Sequence, residues 1–220
     1  MNFNRRIPQY LLGLIVMAAG VVLIKKAELG VSPLSAIPAA VANITPLTLG
    51  NTTIFFHVFC VAMQITVMRK VTLKTLLILP LALCFGYIID FFMLLFSFEN
   101  ALLPLRLVLC LIGIVLSALG IVIIVGADLM LPAPDALIRQ ISAQFDRPLS
   151  KVKTVGDVVW VCITVIIELV SSGRIVSVGI GTVASVLLTG RFVGLFRRLM
   201  PFLEMKETHD PGKTTPDGEN

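Results

Sequence analysis

Charge is scarce in this sequence. Lysine, arginine, aspartate and glutamate make up 14% of the 220 residues against 57% hydrophobic residues, and a chain of that composition cannot cover its apolar surface with groups that water accepts. An ordinary soluble domain is thereby excluded. Cysteine is scarce too. Cys60, Cys84, Cys110 and Cys162 all fall inside apolar runs, and no pair has metal-ligand spacing, so they read as small apolar packing residues and neither a disulfide framework nor a metal site is expected. His-Glu-x-x-His, Gly-x-Ser-x-Gly and a Walker-type phosphate loop are all missing, so no enzyme and no cofactor are expected.

Long apolar runs are what the sequence has in quantity. They lie at 9–24, 52–68, 75–98, 102–127, 154–170 and 175–196, most of them near the roughly 17 to 25 residues that a spanning helix needs, and the mean hydropathy is +0.97. The reading is an all-α membrane protein with six transmembrane helices, a single polytopic domain over residues 1–200 whose partner is the lipid bilayer. The first run follows Arg5 and Arg6 but no small-x-small cleavage site comes after it, so it reads as a retained span rather than a signal peptide. The tail 204–220 is polar, has no apolar face and reads as a disordered cytoplasmic segment.

Thirteen lysines and arginines fall in loops on one side of these spans and four, Lys25, Lys26, Arg106 and Arg174, on the other. That asymmetry predicts both termini in the cytoplasm. It also accounts for the formal net charge of +5 as topology, and leaves a nucleic-acid partner without support.

Residues 13–42 recur as 113–142. Gly13, Ala18, Gly20, Val22, Ile24, Ala27, Leu29 and Ala36 return as Gly113, Ala118, Gly120, Val122, Ile124, Ala127, Leu129 and Ala136, eight identities in thirty ungapped positions, with Glu28 answering to Asp128. A two-residue insertion extends the match, setting Pro46-Leu47-Thr48 against Pro148-Leu149-Ser150. Two copies of one unit follow, about 7–98 and 102–200. Three spans per copy is an odd number, so the second copy enters from the opposite face and the repeats are inverted, an arrangement common in small-molecule transporters.

Between the first and second span of each copy lies a segment too apolar for a loop and too rich in Pro and Ser for a span, residues 29–51 and 129–151. Each holds a proline-started run of helix length, with Ser35 and Asp135 where an N-cap acceptor belongs. Two readings follow: short helices whose N-termini face a central solute site near Ser32, Ser35, Pro132, Asp135 and Asp90, or interfacial helices that merely link spans. Asp90 and Arg191 are charges inside spans, and aligning Gly86 with Gly190 puts them about one turn apart, which predicts an ion pair serving as a gate or a structural lock. Ser177, Gly181, Ser185, Gly190 and Gly194 in the last span are spaced for close helix packing, within the bundle or in a homo-oligomer.

The stretches LGVSPLSAI at 29–37, LPAPDALI at 131–138 and GIGTVASVLLTG at 179–190 resemble the bacterial YczE-type membrane proteins, relatives of the YitT-type family. The resemblance covers residues 7 to about 200 and implies a multi-pass protein of the bacterial inner membrane, a transporter or regulator, with no catalytic residues to carry over. Leu34-Ser35 stands where such proteins carry a Trp-Asp pair, so an acidic role in the first half-site falls to Asp135 alone. The function expected is passage of an unidentified small solute between the repeats; the alternative is a membrane protein that assists, anchors or regulates a partner.

Overall fold

The computed structural model describes residues 3–98 and 102–200, and there it is all helix: α1 (Phe3–Lys26), α2 (Pro33–Ile44), α3 (Leu49–Met68), α4 (Leu73–Leu95), α5 (Leu103–Gly126), α6 (Ala133–Gln144), α7 (Leu149–Ser172) and α8 (Ile180–Leu199). Six are long and apolar enough to cross a bilayer, and α2 and α6 are 12-residue helices between them. The tail read as disordered lies outside the described residues.

Several helix ends are local chemistry. Thr48 and Thr72, both extended, accept the backbone N–H of Asn51 and Thr75 to start α3 and α4. Gly173, at φ 67°, ends α7 in the left-handed conformation that glycine adopts without a Cβ clash. Helix starts recur at an interval of one hundred residues from α1, α2 and α3 to α5, α6 and α7. α2 and α6, like α3 and α7, begin one hundred residues apart, so the insertion expected before Pro148 is not there and Thr48 and Pro148 are the equivalent caps. Turn residues Glu28 and Asp128 share positive φ, 54° and 48°.

Glycine puts α1 against α5. A Cβ built on Gly13 would lie 2.7 Å from Cγ1 of Ile124, and one on Gly113 would lie 2.7 Å from Cγ1 of Ile24. Likewise Gly20 faces the backbone of Ser117 and Gly120 that of Met17. Rising numbers on one helix meet falling numbers on the other, so the pair is antiparallel and its contacts are reciprocal. Both ends carry the same kind of ion pair, Arg6–Asp128 at 3.7 Å and Arg106–Glu28 at 3.0 Å. Around this axis α4 packs on α1 and α8 on α5, while each short helix crosses over, α2 onto α7 and α6 onto α3. Large apolar side chains such as Leu94, Val170 and Ile180 point outward, 84%, 83% and 76% exposed, as a bilayer solvent requires.

The halves differ in one respect. α3 packs along α4, where the backbone at Gly50 meets Gly86 and Asp90. α7 and α8 have no comparable contact, and no described residue lies within 4 Å of where a Cβ would stand on Gly190 or Gly194 of α8.

Candidate functional site

α2 starts at Pro33, whose fixed φ suits the first helical position and whose ring holds Ser32 extended at φ −65°, ψ 150°. Ser32 is therefore the N-cap, and Ser35 sits at the third helical position, its hydroxyl accepting from that of Ser32 at 3.2 Å. In α6 Pro132 is the cap and Asp135 again occupies the third position. The N-cap roles expected for Ser35 and Asp135 are corrected by three residues, because the extended residue ahead of each helix comes earlier than the side chain that looked like the acceptor. An acidic group in the first turn is nonetheless well placed for the helix dipole.

The two starts come together. Ser35 from α2 and Pro132 and Pro134 from α6 line one cavity with Met17, Thr53 and His57. His57, ninth of the twenty residues of α3, is some 12 Å along that helix at 1.5 Å per residue, so both short helices begin well inside the bundle. Its ring stacks on Phe85, centroids 5.8 Å apart and 6° between planes, and also lines a second small cavity with Tyr10, Pro132 and Ala133. The shared cavity is about 20 Å³, room for about one water. A solute larger than water enters only when the helices move apart.

Polar side chains hold the start of α6. Gln64 on α3, fully buried, donates to the carbonyl of Ala133 at 2.9 Å and accepts from Gln140 at 3.3 Å. Asp135 accepts from Lys153 of α7 at 2.9 Å. Lys153 reads in sequence as one more loop cation, and its only signal is its place four residues before Asp157 in an apolar helix. Asn43 went unread as well. At the far end of α7 it accepts from Lys25 at 2.7 Å and donates to Glu168 and Ser177, and Glu168 in turn accepts the backbone N–H of Val176 at 2.8 Å and of Ser177 at 3.0 Å. This clasp ties α1, α2 and α7 to the turn before α8.

Asp90 and Arg191 do not meet. Asp90 accepts from the Thr48 hydroxyl at 2.6 Å and the Gly50 N–H at 2.7 Å, and Arg191 is exposed on α8. The ion pair expected from sequence is corrected for a physical reason: a carboxylate is satisfied by any donors, and the N-terminus of α3 offers its own beside Gly86. Nor does Asp90 line the cavity shared by Ser35 and Pro132. Asp90→Ala is expected to lower stability by about 1–2 kcal/mol, the size of a lost helix cap, and Arg191→Ala to leave it unchanged. Thermal unfolding in detergent checks both, and equal losses would restore the ion pair.

Of the small residues assigned to packing in the last span, Gly181 does pack, against the backbone of Leu29 and Gly30. Ser177 lies in the turn before α8, buried, and Ser185 is buried on α8. Among the described residues, none comes within 4 Å of where a Cβ would stand on Gly190 or Gly194.

A family model described as a family of unknown function (DUF6198) matches residues 4–198, which spans all but the outermost residues of the eight helices. No curated protein and no solved structure matches the chain.

Proposed function

The chain belongs to that family of unknown function, and from its own residues we propose that it is a membrane transporter or channel, not an enzyme, which passes a small solute between two inverted three-span repeats. The observation that carries this reading is the meeting of the two short-helix starts, Ser35 with Pro132 and Pro134, on one internal cavity beside His57. Irregular backbone deep in a membrane protein persists where it lines a cavity, and helices that start at a solute site between repeats are a recurring transporter device. The reciprocal, antiparallel contacts of α1 and α5 fit copies that enter from opposite faces.

In this reading both termini are cytoplasmic and the membrane is the bacterial inner membrane, which the loop cations and the resemblance to YczE-type proteins support. The small volume of the cavity belongs to an occluded state, and rocking of one half on the other opens it. The clasp of Lys25, Asn43, Glu168 and Ser177 then closes the outer end, and the Asp135–Lys153 pair lies toward the inner one.

A second reading, a membrane protein that anchors or regulates a partner, draws on the unfilled face of α8 at Gly190 and Gly194, which also suits a homo-oligomer. Single cysteines separate the two. With the four native cysteines removed, Ser35→Cys and Asp135→Cys are expected to react with a membrane-impermeant maleimide in sealed vesicles, each more readily from one face, and a metabolite extract is expected to change the rate at Ser35→Cys. Two positions that stay unreactive from both faces would sink the transport reading.

A further inference from the structure

We propose that Asp157 binds an exchangeable proton, and that Lys153 and Asp135 form with it a proton-binding site where α6 meets α7.

The duplication points to these three residues. One hundred residues earlier stand Ser35, Thr53 and His57, and all three line the central cavity. One half thus presents neutral or weakly basic groups to the cavity, and the other carries two carboxylates and an ammonium at the equivalent positions. Lys153 and Asp157 are four residues apart and so share a face of α7. The lysine bonds Asp135, which leaves one cation for two carboxylates. Oδ1 of Asp157 is buried without a hydrogen-bond donor. Trp160, one turn deeper and only 9% exposed, has its Nε1 without an acceptor, and its ring packs edge-on against Phe56.

A carboxylate that lacks a donor inside a membrane span recruits a cation or neutralises. Among the other groups near it, Lys153 on its own helix is already committed, and Asp135 on α6 is of like charge. His57 and Cys60 on α3 lie within electrostatic reach of Asp135, and α2, which also packs on α7, carries no titratable side chain. A single proton removes the excess charge and makes Asp157 a donor. When that proton leaves, Asp157 competes with Asp135 for the ammonium of Lys153, whose side chain is 45% exposed. The first turn of α6, whose Pro132 and Pro134 form a wall of the cavity, then loses its tether to α7 and keeps only the one from Gln64 on α3. In a transporter this couples cavity shape to the proton gradient, and in that use the inference rests on the reading above.

The test is infrared difference spectroscopy of the full chain in lipid nanodiscs, stepped from neutral to alkaline pH. One protonated-carboxyl C=O band is expected to disappear in the step. Asp157→Asn should remove it and Asp157→Glu should shift it in frequency, the second variant guarding against a misfolded first. Asp135→Asn should abolish the neutral-pH band, because the freed Lys153 turns to Asp157. A band indifferent to both Asp157 substitutions, or none in the unmodified protein, would overturn the site, and loss of the band on adding sodium at fixed pH would assign it to a metal cation instead. The measurement needs no transport, so unreactive cysteines at 35 and 135 sink the transport reading while leaving this result to stand or fall alone.

Discussion

Gly20→Leu is expected to leave little folded protein. A Cβ at this position already falls 2.5 Å from the backbone nitrogen of Ser117 and 2.6 Å from the carbonyl oxygen of Gly113, and backbone cannot rotate away as a side chain can. α1 and α5 would have to separate along the axis on which both halves are built, breaking the buried layer of Ala18, Val22, Ile24, Ala118 and Ile124. Overpacking costs about 1–3 kcal/mol where side chains absorb it, and more where backbone must shift; here about 3 kcal/mol or more is expected. Gly113→Leu, whose Cβ meets Ile24 and the Gly20 carbonyl, should do the same from the other copy. Gly190→Leu, with nothing within 4 Å, should leave the monodisperse yield after detergent extraction unchanged. If all three leucine variants behave alike on size-exclusion chromatography and thermal unfolding, the α1–α5 axis is not the core of the fold.

Glu168→Ala is the second large effect. The side chain is 1% exposed and accepts from two backbone N–H groups and from Asn43, which in turn accepts from Lys25. Alanine leaves the buried N–H of Ser177 without its acceptor, at about 1–3 kcal/mol, while the donors of Val176 and Asn43, on exposed residues, turn to water, and it removes the negative end of a chain that begins at a lysine. A loss of about 2–3 kcal/mol is expected, most of it from the buried Ser177 N–H and the lost hydrogen bonds to a charged acceptor. Glu168→Gln keeps one acceptor oxygen and should fall between the two. The turn 173–179 is expected to become a protease-sensitive site in the alanine variant, since its backbone at Val176 and Ser177 is held by this carboxylate. An unaltered cleavage pattern together with an unaltered melting temperature would show that the clasp contributes nothing.

Much of this architecture is legible in the chain because membrane folding is governed by one-dimensional rules. Run length predicts the spans, proline predicts where α2 and α6 begin to within three residues, and the recurring glycines at 13, 20, 113 and 120 announce a duplicated unit. What the sequence reading missed concerns partners. Lys153, which pairs with Asp135, reads there as one of the loop cations. A charge inside a span needs compensation, which suggests Arg191 for Asp90, yet the compensation comes from the start of α3, where the Thr48 cap and the Gly50 N–H donate to it. The five small residues of the last span look equivalent in sequence. In the fold Gly181 touches backbone and Gly190 faces outward, since one side of a helix is chosen only when its neighbours are.

By itself, then, the sequence determined that this is a helical membrane protein of two related halves, because hydrocarbon tolerates only chains that satisfy their own backbone hydrogen bonds and that demand is written in the length and composition of each run. Only the tertiary structure decided that α1 and α5 form the axis, that Ser35 and Pro132 share a cavity, and that Lys153 pairs with Asp135 and not Asp157. Those outcomes depend on distances of a few ångströms between residues far apart in the chain, and close approach of that kind is set by how whole helices pack, not by any residue's own preference.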